Sequence, residues 1–164
     1  MIVVGIGKLG QLVVKVLQAT GCHLVALAHS ESAKQSMLTA GFQSITVTDL
    51  EEGGFDVAVE CTGNTAGFDI ARRALRPRGT LVMKSTYAGR LNVDAAALVV
   101  DEITLVGSRC GSFELALRFL ADNTVDVEPL IAARYPLQQA LEAFAFAQDP
   151  GVLKVLLTMP GGTD

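Results

Sequence analysis

The chain opens on Met1-Ile2-Val3-Val4-Gly5-Ile6-Gly7-Lys8-Leu9-Gly10, a short apolar run that reaches three glycines spaced G-x-G-x-x-G. A helical pattern follows at once, with Leu9, Leu12, Val13, Val16 and Leu17 at three- and four-residue steps, the spacing of one buried helix face. Strand, glycine turn and helix in that order are the context a dinucleotide fingerprint requires. Each glycine has its own reason. Gly5 permits a tight turn out of the strand, Gly7 leaves the backbone open to a pyrophosphate, and Gly10 lets the helix pack closely on the strand. Free N–H groups and the helix dipole then favour an anion at the helix start. A glycine-rich turn that serves packing alone is the competing explanation.

The rest of the chain extends that pattern. Apolar runs at residues 23–28, 44–48, 55–61 and 80–84 read as strands. Helical patterns lie between them: residues 31–40 behind a capping Ser30, and a segment through Phe68, Ala71 and Leu75 that Pro77 and Gly79 end. Residues 98–100 and 103–106 are two further β-branched runs. Helices follow around Phe113, Ala116, Leu117 and Leu120, and around Leu137, Ala140, Leu141 and Phe144. Residues 152–158 read as a last strand, and residues 160–164 as a tail.

Alternating strands and helices predict an α/β fold. The count suits a Rossmann fold: a doubly wound, six-stranded, mostly parallel sheet in order 3-2-1-4-5-6, with helices on both faces. With 164 residues, half of them apolar, and a mean hydropathy of +0.41, the chain is read as one domain over residues 1–164. Low charge content, 18%, fits parallel strands buried on both faces.

Composition also excludes partners. A net charge of −4 with no basic run argues against nucleic acid. No apolar run approaches the ~20 residues of a membrane span, and no signal peptide is expected at the N-terminus. Cys22, Cys61 and Cys110 are odd in number and widely spaced, which makes a disulfide framework unexpected and a cytoplasmic location the default.

Several stretches together resemble the C-terminal half of the medium-chain dehydrogenase/reductases, the zinc-type alcohol dehydrogenase superfamily. They are V-V-G-I-G-K-L-G at residues 3–10, F-D-V-A-V-E-C-T-G at 55–63, L-R-P-R-G-T-L-V at 75–82, and Y-P-L-Q-Q-A-L-E-A-F at 135–144 with K-V-L-L at 154–157. K-S-T-Y at 84–87 and V-G-S-R-C-G at 106–111 are similar to one zinc-dependent-like branch. The resemblance implies hydride transfer between a nicotinamide and an alcohol, aldehyde or ketone in the intact family. It also implies an N-terminal catalytic domain, with the zinc ligands, that has no counterpart in this sequence. Residues 129–158 resemble the segment that returns to that domain. Turnover by this chain alone is therefore not expected, nor is bound zinc: His23, His29 and the isolated cysteines have no ligand spacing.

Candidate cofactor residues follow from the fingerprint and from the rule that ligands sit at the carboxyl ends of the strands. Gly5, Gly7, Lys8, Leu9 and Gly10 form the phosphate turn. Where an acidic residue would bind the ribose of NAD, the second strand ends in Ala28, followed by His29 and Ser30, with Lys34 one turn on. The missing carboxylate favours NADP, with NAD still possible. The plain alternative is that Ser30 is only a helix cap and Lys34 only a solvated side chain. Thr62 and Gly63 follow the fourth strand and Lys84, Ser85 and Thr86 the fifth; these are the nicotinamide-side candidates, with ordinary loop residues the alternative, while Ser108 and Arg109 after the sixth are cofactor contacts or a surface salt bridge. Cys61 reads as a small buried hydrophobe, and Glu60 as a strand-end residue facing a solvated crevice, with a buried acid as the alternative. No catalytic residue is assigned. In the resembling family, subunits join sheets edge to edge, and the matching stretch is Ala97-Leu98-Val99-Val100-Asp101, which predicts a homodimer through edge-strand pairing of residues 98–100, with a monomer in which the stretch is an internal strand as the alternative. The alternative functions are a non-catalytic dinucleotide-binding or dimerising module and a relic that binds nothing well.

Overall fold

A computed structural model describes residues 1–159; the tail at 160–164 lies outside them. Six parallel strands form one sheet in the order β3-β2-β1-β4-β5-β6: β1 Ile2–Val4, β2 Val25–Ala28, β3 Ser44–Thr46, β4 Phe55–Glu60, β5 Leu75–Met83 and β6 Thr104–Gly107. This is the doubly wound order expected of a Rossmann fold. The register places Val4 beside Leu27 on one side and Glu60 on the other, so β1 and β4 end level and β2 runs one residue further. The crossovers are α1 Lys8–Gln18, α2 Glu31–Thr39, α3 Thr65–Ala74 and α4 Ala95–Val100.

Burial on both faces explains why the strands are apolar throughout. Ile2, Val4, Leu27, Ala58 and Leu81 pack on one side with Phe68, Ala71 and Ala74 of α3. Val3, Ala26, Ala28 and Val59 pack on the other with Val14 of α1 and Met37 of α2. Each large apolar side chain so buried contributes roughly 1.5–3 kcal/mol. A Cβ on Gly10 would overlap the Gly5 carbonyl oxygen, so this glycine lets α1 lie directly on the turn.

That close approach decides which face of α1 is buried. The contact line runs through Gly10 and Val14, with Val13 and Leu17 packed beside it. Leu9, Leu12 and Val16 are more than a third exposed, so the apolar stripe predicted from the sequence is wider than the buried one. Two further boundaries move. α3 stops at Ala74, and Leu75 belongs to β5, which passes through Pro77 with an irregular register against β4 between Phe55 and Val57. The β-branched run at 44–48 yields strand only to Thr46. A short 3-10 turn, Val47–Asp49, follows because the Asp49 carboxylate accepts hydrogen bonds from the Thr46 N–H and hydroxyl.

The predicted strand at Leu98, Val99 and Val100 is instead the end of α4. Asp94 caps this helix by accepting from the Ala97 N–H, and Ala95, Ala96 and Ala97 favour helical backbone. On this side the edge of the sheet is β6, and β3 is the opposite edge.

Read as sequence the chain is one domain; its residues cluster in two compact units, Met1–Arg118 and Phe119–Asp164, a division that falls within α5, Phe113–Ala121. The second unit contains β7 Ile131–Pro136 and β8 Lys154–Thr158, paired in parallel, and α6 Ala140–Phe146 between them. Residues 129–158 lie within it. Ala143 is the buried residue of α6, whereas Leu141 and Phe144, which marked the helix in the sequence, are exposed.

Candidate functional site: the carboxyl ends of the parallel strands

Gly5 leaves β1 with φ +92, a conformation that favours glycine, and turns the chain into α1. Gly7 occupies the cap position, where no side chain completes the cap, and its carbonyl accepts from the Gln11 N–H at 3.0 Å. The first N–H groups of α1 have no partner within the helix. A Cβ built on Gly7 meets nothing within 4 Å. The turn is therefore open at Gly7 and closed at Gly10, the division of labour a phosphate-binding turn needs. Lys8 and Leu9 begin the helix beside it and are exposed.

Next to this turn is a cleft of about 190 Å³, lined by Val4, Gly5, Ile6, Leu27, His29, Val47, Thr62, Asn64, Ala66, Gly67 and Ile70. It joins the carboxyl ends of β1, β2 and β4 to the start of α3. Gly5, His29 and Thr62 were expected there from the sequence. Val47, Gly67 and Ile70 were not, because nothing in the sequence places the turn after β3 beside the start of α3. Gly67 carries a signal that was available: a Cβ there would overlap the Thr62 side chain. A larger cleft of about 240 Å³ lies among Gln18, Cys22, His23, Phe42 and Gln43. These residues precede or open β2 and β3, at the amino ends of the strands, where such sheets do not place ligands.

On the β2 side, Ser30 caps α2 by accepting from the Ala33 N–H at 3.2 Å. Lys34 is not a free solvated cation. Its ammonium lies 2.9 Å from Asp49 and 3.4 Å from Glu31. Asp49 is held down to about 2, first by the Thr46 N–H, then by Lys34 and the Thr46 hydroxyl.

On the β4–β5 side the candidates divide into two groups. Gly63 packs against Ser85 and the Thr86 carbonyl. The Lys84 ammonium donates to the carbonyls of Ser108 and Arg109, which ties the loop after β5 to the loop after β6. Glu60 is a correction. It does not face a solvated crevice but is fully buried at the end of β4. It accepts from the Thr62 N–H at 2.5 Å, the Thr62 hydroxyl at 2.5 Å, the Gly63 N–H at 2.9 Å and the Tyr87 hydroxyl at 2.7 Å. The donors lie two, three and 27 residues further along the chain, and the last, on Tyr87, is invisible to local pattern. Cys61 is half-buried, and desolvation, with the neighbouring Glu60 charge, pushes its thiol up to about 12. It is a packing residue, not a nucleophile. Among the described residues, no three His, Cys, Asp or Glu side chains converge as a metal site requires, so these residues offer no fit for a catalytic zinc. No helix among them is long and apolar enough to cross a membrane.

Fold and turn together define a dinucleotide-binding domain of the Rossmann class. The sequence profile of the zinc-binding dehydrogenase family matches residues 9–122, more than half of the chain, and the chain belongs to that family. Sorbitol dehydrogenase from Mus musculus is 29% identical over 173 aligned residues, covering 96% of this chain and 48% of that protein. L-idonate 5-dehydrogenase from Escherichia coli superposes with a TM-score of 0.86 at 25% identity, over 96% of this chain and 49% of that one. A structure described as a zinc-binding dehydrogenase from Sinorhizobium meliloti bound to NADP superposes at 0.83 with 19% identity, over 95% of this chain and 51% of that one; this likeness concerns the fold alone. The chain spans about half the length of the curated relatives it matches.

Proposed function

We propose that this chain holds and orients NADP(H), with NAD(H) as the weaker ligand, for a dehydrogenase of the alcohol–ketone type. The observation that carries the reading is the turn open at Gly7 and closed at Gly10, level with the 190 Å³ cleft. Gly5, Gly7, Lys8, Leu9 and Gly10 take the pyrophosphate against the start of α1. His29, Ser30 and Lys34 take the adenosine ribose. Thr62, Gly63, Lys84, Ser85, Thr86, Ser108 and Arg109 border the nicotinamide half. The bound cofactor supplies a nicotinamide carbon that accepts or gives hydride; this chain's residues bind it, orient it and screen one face from water.

The NADP preference rests on the end of β2. Ala28, His29 and Ser30 bring no carboxylate to repel a 2′-phosphate, and Lys34 is the cation within one helical turn. Because Lys34 is shared with Asp49 and Glu31, the preference is modest, a few-fold. Fluorescence titration with NADPH and NADH at fixed salt tests it, and tighter NADH binding overturns it. A homodimer belongs to the same proposal, through β6 in place of residues 98–100. A module that binds cofactor without turnover is the second reading. Turnover assays on a panel of alcohols and aldehydes separate the two.

A further inference from the structure

Among the described residues Glu60 is the one charged side chain that is buried. Burying a carboxylate is costly, and an apolar residue would hold the end of a strand at least as well. No described ion pair includes it. The charge is met by four hydrogen bonds, divided between its two oxygens. Oε1 accepts from the Thr62 N–H, the Thr62 hydroxyl and the Gly63 N–H, all in the loop after β4. Oε2 accepts from Tyr87, 27 residues away in the loop after β5. One side chain thus joins two loops that belong to adjacent strands.

Both loops carry candidate site residues. Gly63 packs on Ser85 and on the Thr86 carbonyl, so the contact fixed by Glu60 continues through the backbone of 84–87. Thr62 is also the residue against which Gly67 of α3 packs. Tyr87 does not line the cleft at Val47, Gly67 and Ile70. Thr62 does line that cleft, but it is held by the other carboxylate oxygen, so the hydrogen bond from Tyr87 bears first on the loop after β5.

We propose that Tyr87 and Glu60 form a latch that fixes the loop after β5 to the loop after β4 and so positions Thr62, Gly63 and Lys84–Thr86 around the nicotinamide half of the cofactor. Both are positioning residues. The latch rests on the reading that a dinucleotide binds at these strand ends. Its action is selective: it orders the nicotinamide half of the site and leaves the adenosine half unchanged.

The test is Tyr87→Phe in the full chain, which keeps the ring and removes the donor. NADPH and 2′,5′-ADP, the adenosine half alone, are titrated separately. The latch requires NADPH affinity to fall roughly tenfold, the scale of one hydrogen bond to a charged group, while 2′,5′-ADP affinity stays the same. Unchanged NADPH affinity overturns the latch, and so does an equal loss for both ligands, which marks a general structural effect. Failure of the unmodified chain to bind either ligand overturns the cofactor reading itself, a result distinct from the other two. Glu60→Gln, if it folds, repeats the same split; if it does not fold, Tyr87→Phe alone decides.

Discussion

Gly7 and Gly10 are three residues apart, and substitution at each has a different physical consequence. A Cβ on Gly10 overlaps the Gly5 carbonyl oxygen, so Gly10→Ala must move α1 or the turn. It is expected to lower stability by about 1–3 kcal/mol, as overpacking does, measured as a shift of the urea midpoint. A Cβ on Gly7 meets open space, so substitution there spares the fold. Cysteines divide in the same way. Cys61 is pushed up to about 12 and half-buried, whereas Cys110 is exposed. Against an ordinary thiol, the shift from 9.0 leaves roughly a thousandfold less thiolate. At pH 8 a maleimide should label Cys110 quickly and Cys61 only on unfolding, as peptide mapping would show; fast labelling of both contradicts the packing role. Asp49 sets a pH dependence. Its carboxyl is lowered from 3.8 to about 2, so its contribution to stability is complete above the unfolded value and is lost as pH falls from about 4 through about 2. Because the Thr46 N–H is the largest cause, Lys34→Gln should leave Asp49 titrating below its ordinary value in a carboxyl NMR titration. A full return to 3.8 would assign the shift to Lys34 instead.

Elements with long or repeated patterns were legible in the sequence, and those that depend on distant partners were not. The strand–turn–helix at residues 1–18, the parallel class and the strand order follow from apolar runs that alternate with capped helices. Residues 98–100 did not read correctly because a short β-branched run suits either a strand or a helix, and the deciding signal was Asp94 with the three alanines after it. Glu60 did not because one of its donors, Tyr87, lies 27 residues away, where no local pattern joins the two. Lys34 did not because Asp49 is 15 residues away. The dimer prediction moves with the element that carries it. β6 ends the sheet, and its Leu105 and Val106 are exposed. The Ser108 N–H reaches the Met83 carbonyl of β5, so by strand alternation the N–H of Leu105 points away from the sheet. Leu105→Pro should therefore split an edge-paired dimer while leaving dinucleotide affinity unchanged. Sedimentation of the unmodified chain as a monomer at micromolar concentration contradicts the dimer.

At the scale of the whole molecule, the chain belongs to the zinc-binding dehydrogenases, spans half the length of its curated relatives, and carries its candidate site entirely within Met1–Arg118. Among the described residues no three His, Cys, Asp or Glu side chains converge as a metal site requires. What the chain does possess is a turn shaped for a pyrophosphate, backed by a sheet whose strands end at one cleft. Titration of the unmodified chain and of Gly7→Val with NADPH, with circular dichroism to confirm that both are folded, tests this most directly. Saturable binding of one dinucleotide per unmodified chain is expected, and none to the folded variant. Equal binding by both, or no saturable binding by the unmodified chain, would contradict it.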